Sequence, residues 1–186
     1  YEIILVGHEK HDEIVGTSGE APQHVRIVAD LDQAKTVTVS DPDKVAVLTQ
    51  TTLSVDDTRD IIDVLKQRFP KIITPAKEDI CYATQNRQDA VKQLTRAVDL
   101  VLVIGSENSE NSNQLCAVAR AQGTPAYLIG EIGLLDPGWL KGVTRVGLTS
   151  GASVPERLVD EAVDFFVQRG AEISHLGFTE ENVHFA

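Results

Sequence analysis

The 186-residue chain is 42% hydrophobic and 24% charged, enough apolar material for one large domain or two small ones. Its net charge of −11 repels nucleic-acid phosphates and anionic lipid, so neither nucleic acid nor a membrane surface is expected as a partner. No apolar run nears the roughly 18 residues of a membrane span, and two cysteines, Cys81 and Cys116, make no disulfide scaffold, which fits a reducing cytoplasm. The opening residues 1–6 lack the basic start and small-residue cleavage pattern of a signal peptide. The absence of any methionine, position 1 included, reads as a piece of a longer protein.

In chain order, residues 3–6 form a short apolar run ending at Gly7, and a polar stretch expected to be a loop fills 8–24. Strands are expected over 25–29 and 45–48. A helix is expected over 54–69, with Ser54 as its cap, Ile61, Ile62, Leu65 and Phe69 on one face, and Pro70 as its stop. Residues 71–74 read as a closing strand. In the second half, 88–98 reads as a helix with Ala90, Val91, Leu94, Ala97 and Val98 on its apolar face. Leu100–Ile104 is continuously apolar, as a parallel strand covered on both sides must be. A helix over 112–122 ends at Gly123, and strands follow over 125–129 and 143–148. The last helix is expected over 155–169, opened by a capping box of Ser153 and Glu156, buried through Leu158, Val159, Ala162, Val163 and Phe166, and ended by Gly170. Alternating strands and helices predict a parallel α/β fold of two similar small units, 1–77 and 78–170, around a central site, with a tail over 171–186.

The chemistry concentrates where strands end. Thr49 to Thr52, Gly105 to Asn111 and Thr149 to Ser153 are clusters of hydroxyl, amide and glycine residues at the carboxyl ends of strands, where parallel α/β folds bind ligands. Helix N-termini in such loops attract anions, so together they could hold a phosphate or diphosphate. Ser and Thr are also ordinary helix caps, and that reading stands beside the first. No Walker or Rossmann glycine pattern is present.

The loop from Gly7 to Glu13 carries His8, His11 and two glutamates. Its imidazoles could donate to a phosphate, relay protons or bind a metal, and its carboxylates could serve as general acids. A solvated polar loop is the plain alternative. Cys81 precedes an expected helix, a setting that favours a nucleophile or metal ligand, while a small buried hydrophobe is the commoner role of a lone cysteine. Cys116 lies among Leu115, Ala117 and Val118 and is expected in the core. No second cysteine stands near Cys81, so no iron–sulfur spacing is present.

Five stretches taken in order carry a resemblance. They are Gly7-His8 with His11-Asp12-Glu13 and Gly16-Thr17; Thr49 to Ser54; Ile80 to Thr84 with Asn86-Arg87; Asn108-Ser109 with Asn111-Ser112; and Gly151-Ala152-Ser153. Together they resemble the LytB family of 4-hydroxy-3-methylbut-2-enyl diphosphate reductases, from about Leu5 to Glu161. The resemblance implies three α/β units around a 4Fe-4S cluster held by three cysteines, of which Cys81 matches the third. It implies that His11 contacts the substrate diphosphate. It implies also that Glu13, with Thr51 beside it, delivers protons at the 4-hydroxyl, and that Ser109, Asn111 and Ser153 hold the diphosphate. It further implies reductive loss of the hydroxyl to give isopentenyl and dimethylallyl diphosphate in non-mevalonate isoprenoid synthesis, with a ferredoxin- or flavodoxin-type electron donor.

Two departures follow. Glu110 stands where the family usually has a second serine, and the family's first unit, with two cluster cysteines and another histidine, has no counterpart. The chain alone is therefore expected to hold no stable cluster and to be inactive. The competing expectation is a cluster-free diphosphate-binding module or an inert fragment.

Overall fold

The computed structural model describes residues 1–75 and 80–174. The chain divides into two compact units, Tyr1–Gln85 and Asn86–Ala186. The expected boundary between 77 and 78, and the tail from 175 onward, lie outside the described residues.

The first unit is built on a parallel sheet of order β2-β1-β3, with β1 at Glu2–Val6, β2 at Val25–Val28 and β3 at Val45–Thr49. Side chains alternate across a strand, and each face finds its own cover. Ile4, Val6, Val28, Val45 and Val47 pack with Ala34 of α2 (Leu31–Thr36) and with Ile61 and Leu65 of α3 (Val55–Arg68). Leu5 and Val25 turn the other way, onto Ile14 of α1 (Asp12–Glu20). Ser54 caps α3 as expected, accepting from the Asp57 N–H.

Three expectations for this unit are corrected. The polar stretch 8–24 is not all loop, because α1 occupies its middle. Only Ile14 of that helix is buried, so no apolar period announced it. Its start is secured instead by the His11 side chain as cap and by Asp12 and Glu13 in the first turn, which suit the positive end of the helix dipole. Helix α2 was not anticipated at all: it is short, and its signal is the Asp30 cap accepting from the Gln33 N–H. The strand expected over 71–74 reduces to a single parallel bridge between Ala46 and Ile73. Pro70 and Pro75 flank it and lack the N–H groups that would extend a ladder.

The second unit repeats the strand order as β5-β4-β6, with β4 at Leu100–Ile104, β5 at Ala126–Ile129 and β6 at Val146–Ser150, all parallel. Every residue of β4 is buried. Val101 and Val103 face Val91 of α4 (Tyr82–Leu94) and Leu115, Cys116 and Ala119 of α5 (Glu110–Ala121). Leu100, Leu102 and Ile104 face Ala162 of α6 (Glu156–Val167), joined by short 3-10 helices at Ile132–Leu134 and Pro137–Leu140. Trp139 stacks on Tyr127 there, ring centroids 4.0 Å apart.

Element ends in this half shift for identifiable reasons. Helix α4 starts at Tyr82 rather than 88, because Thr84 and Gln88, one turn apart on its buried stripe, are polar and broke the apolar period; it ends at Leu94, so Ala97 and Val98 lie past it. Strand β6 runs later than 143–148. The Thr144 and Arg145 N–H groups donate to the Asp99 carboxylate, and the ladder with β4 begins only at Val146. The capping box expected from Ser153 does not form: Pro155 is the residue before α6, with no side-chain cap bond. A residue before proline is disfavoured in helical backbone, so Val154 separates Ser153 from the helix start at Glu156.

Candidate functional site

In the first unit the strand ends are clamped by a side chain the sequence reading passed over. Gln50 directly follows β3, is fully buried, and donates its N–H to the Val6 carbonyl at 2.8 Å. Its Oε1 accepts from the His8 N–H at 3.0 Å and its Nε2 donates to Thr52 Oγ1 at 2.9 Å. Gly7 sits in this clamp without space for a side chain: a Cβ would lie 2.3 Å from Ile14 Cδ1 and 2.9 Å from Gln50 Oε1. A glutamine following a β-branched apolar strand is the signal that could have found it, since a buried amide must place all its polar atoms.

This clamp fixes where α1 begins. His11 Nδ1 accepts from the Glu13 N–H at 3.2 Å, so the neutral ring carries its hydrogen on Nε2. The Glu13 carboxylate meets Thr51 at three points: the Thr51 N–H reaches both carboxylate oxygens, at 3.1 and 3.2 Å, and Thr51 Oγ1 donates to Oε2 at 3.0 Å. The Thr51 carbonyl in turn accepts from the Cys81 N–H at 3.2 Å. Cys81 is exposed and free, which removes the buried-hydrophobe reading for it, and it immediately precedes α4. The structure thus links His11, Glu13, Thr51 and Cys81 in one chain of hydrogen bonds.

In the second unit the equivalent strand ends carry hydroxyl and amide groups beside the carboxylate Glu110. Ser109 caps α5, accepting from the Ser112 N–H at 3.3 Å and from the Ser112 hydroxyl at 3.1 Å. Both bonds are accepted by Ser109 Oγ, so its own hydroxyl hydrogen is left to donate elsewhere. Ser112 is buried between two glycines, and a Cβ at either Gly105 or Gly151 would come 2.3 Å from its Oγ. The sequence reading gave Ser112 no role of its own; glycines ending two neighbouring strands are the sign that something fills the space between them. Both amide atoms of Asn111 are buried and make no hydrogen bond. Ser153 is exposed in the turn after β6. Glu110, half-buried, opens α5 between Ser109 and Asn111.

The two thiols differ sharply. Cys116 is 3% exposed in the core of the second unit, and burial pushes its thiol up to about 11. Among the described residues no three His, Cys, Asp or Glu side chains are grouped to hold a metal ion. An iron–sulfur cluster held by protein takes several thiolates. The described residues offer it one exposed thiol, Cys81, and so do not by themselves make up a cluster site.

No described helix is long and apolar enough to cross a membrane. The family model described as LytB protein matches residues 1–167. The chain is 50% identical, over its whole length, to the 4-hydroxy-3-methylbut-2-enyl diphosphate reductase of Streptomyces avermitilis, of which it covers 56%. It is 49% identical to the enzyme of the same name from Wolbachia pipientis, over 99% of this chain and 60% of that one. A solved structure of the E-1-hydroxy-2-methyl-but-2-enyl-4-diphosphate reductase from Plasmodium falciparum superposes with a TM-score of 0.85 at 38% identity, over 89% of this chain and 52% of that one. The chain therefore spans little more than half the length of the relatives it matches. With a family model matched from its first residue to the end of α6, and with the strand-end residues in order, the chain belongs to the LytB protein family.

Proposed function

We propose that this chain is the proton-handling and diphosphate-holding part of a 4-hydroxy-3-methylbut-2-enyl diphosphate reductase. The observation that carries the reading is the three-point contact of Glu13 with Thr51, supported by the shared name of the relatives. The reaction replaces a C–OH bond by C–H. It consumes two electrons and two protons, releases water, and yields isopentenyl or dimethylallyl diphosphate. Hydroxide leaves poorly, so a positioned acid is needed where the C–O bond breaks. Glu13 fills that need when it carries the proton: the Thr51–Glu13 hydrogen bond then reverses, and the acid passes its proton to Thr51 Oγ1 as the threonine hydroxyl hands its own to the departing oxygen. The Thr51 N–H holds the carboxylate in register for this exchange.

In the second unit, Ser109, Asn111 and Ser153 bind the diphosphate through neutral hydroxyl and amide donors. The orphaned Asn111 amide supports this role, because a buried amide without partners is costly unless a ligand satisfies it. His11, with its hydrogen on Nε2, donates to the same kind of anion. Cys81 would contribute one thiolate to a 4Fe-4S cluster, whose other ligands the described residues do not supply. Electrons come from a ferredoxin- or flavodoxin-type donor, and two free cysteines without a disulfide fit a cytoplasmic location.

Glu13→Gln in the complete protein tests this reading. Turnover should fall by about 100-fold or more, the usual weight of a general acid, while substrate affinity stays near that of the parent. Parental turnover would remove Glu13 from the proton path. Diphosphate binding without reductive turnover in the parent protein would favour a cluster-free binding module.

A further inference from the structure

Arg87 stands on α4 within the second unit and reaches the end of β6: its Nη1 donates to the Ser150 carbonyl at 3.4 Å. Its Nε is buried without a hydrogen-bond partner, and among the described residues no carboxylate pairs with it. In a chain of net charge −11, a half-buried guanidinium without a carboxylate partner among the described residues is an expensive arrangement. The backbone it grips leads directly into the turn that carries Ser153. Next in line, the Gly151 N–H donates to the Ile104 carbonyl at 2.9 Å, and Gly151 packs so closely on Ser112 that a Cβ would lie 2.3 Å from the hydroxyl. Ser112 in turn donates to Ser109. Arg87, the β6 end, Ser112 and the Ser109 cap therefore form one continuous line of contacts.

We propose that Arg87 is a positioning residue for anion binding in the second unit. Its guanidinium fixes the carboxyl end of β6, and so the 151–153 turn. It also supplies positive charge to a loop cluster whose donors are neutral and whose nearest charged neighbour in the α5 first turn is the carboxylate Glu110. The planar fork of arginine suits both tasks, since one edge can hold a carbonyl while the charge stays unpaired for an incoming anion. The inference rests on the reading that these loops hold a diphosphate.

Calorimetric titration of inorganic diphosphate into the 186-residue chain, with R87Q, R87K and N111A beside the parent, tests it. Losing a charge-assisted contact should weaken R87Q about tenfold and R87K about threefold. The affinity of R87Q should also depend less on salt than that of the parent, because one screened attraction is gone. A purely structural arginine would shift the melting temperature without changing that salt dependence. Parental affinity in either Arg87 variant, or an unchanged salt dependence in R87Q, overturns the role of Arg87; should R87Q fail to fold, R87K decides. A parent chain that binds no diphosphate, or an N111A variant that binds it as the parent does, overturns the diphosphate reading and this inference with it.

Discussion

In both units the strand that comes first in the chain lies in the middle of a parallel three-stranded sheet, with the second strand on one side and the third on the other. In both, a glycine ends the middle strand and a helix cap follows shortly after. The chemistry hung on this shared frame differs. The first unit places an imidazole, a carboxylate, a threonine and a thiol in mutual hydrogen bonds, so its groups are partnered within the chain. The second unit places hydroxyls and an amide, and leaves the amide without a partner. A partnered carboxylate is suited to moving protons along a defined path. Unpartnered neutral donors are suited to receiving an anion. One topology thus carries two kinds of side-chain set, and the difference lies in a handful of residues at strand ends.

The largest contrast to test is between the two thiols. With a disulfide reagent at pH 8, Cys81 should react within the mixing and counting time. Cys116 should lag by about a hundredfold or more, since burial keeps its thiol protonated at that pH and its release requires local opening. Two thiols reacting at equal rates would mean the core of the second unit is loose.

A second test concerns the glycines. Gly7→Ala and Gly105→Ala each put a methyl group about 2.3 Å from a buried side chain, Ile14 in one unit and Ser112 in the other. Each should cost about 1–3 kcal/mol in denaturant unfolding, the usual range for overpacking a dense site. If only one of the pair is destabilising, the two strand ends are not equivalent in packing and the parallel drawn between them weakens.

The third test separates binding from stability. Asn111→Ala should leave the fold as stable as the parent or more so, because a buried unsatisfied amide costs about 1–3 kcal/mol, and it should lower diphosphate affinity by about tenfold. Thr51→Val should do the reverse in the first unit: it cuts the Glu13 hydroxyl contact, lowers turnover in the complete protein, and spares affinity for the diphosphate.

The smallest expected effect lies at the foot of the second sheet. Hydrogen bonds from the Arg145 N–H, the Thr144 hydroxyl and the Thr144 N–H hold the Asp99 carboxyl below its ordinary 3.8. A lowered folded value means that its contribution is present above pH 3.8 and is lost as pH falls through the folded value. Asp99→Asn should lower the melting temperature slightly at neutral pH and flatten the acid side of the stability curve. An acid limb identical to the parent's would show that Asp99 adds nothing there. The first unit offers no matching carboxylate clamp among the shifted groups: Asp41 is also held low, chiefly by the Asp43 N–H, but within a surface turn.

Sequence alone determined the parallel α/β class, the middle strand β4, and helix α3 with its Ser54 cap. These follow from apolar runs, period and capping residues, which act over a few neighbours in the chain. It also named His11, Glu13, Thr51, Cys81, Ser109, Asn111 and Ser153, through motif order rather than through any single spacing. Only the tertiary structure decided what those residues touch. Glu13 meets Thr51 across 38 positions, the Gln50 clamp spans 42 to His8, and Arg87 reaches Ser150 across 63. Helix α1 and the first turns of α4 were hidden because their buried faces carry few apolar residues, and the Ser153 cap failed because Pro155 stiffens the chain before α6. Local pattern reports which side of an element is dry. The partner of a polar group at a strand end is set by which loops the sheet brings side by side, and that is a property of the folded chain.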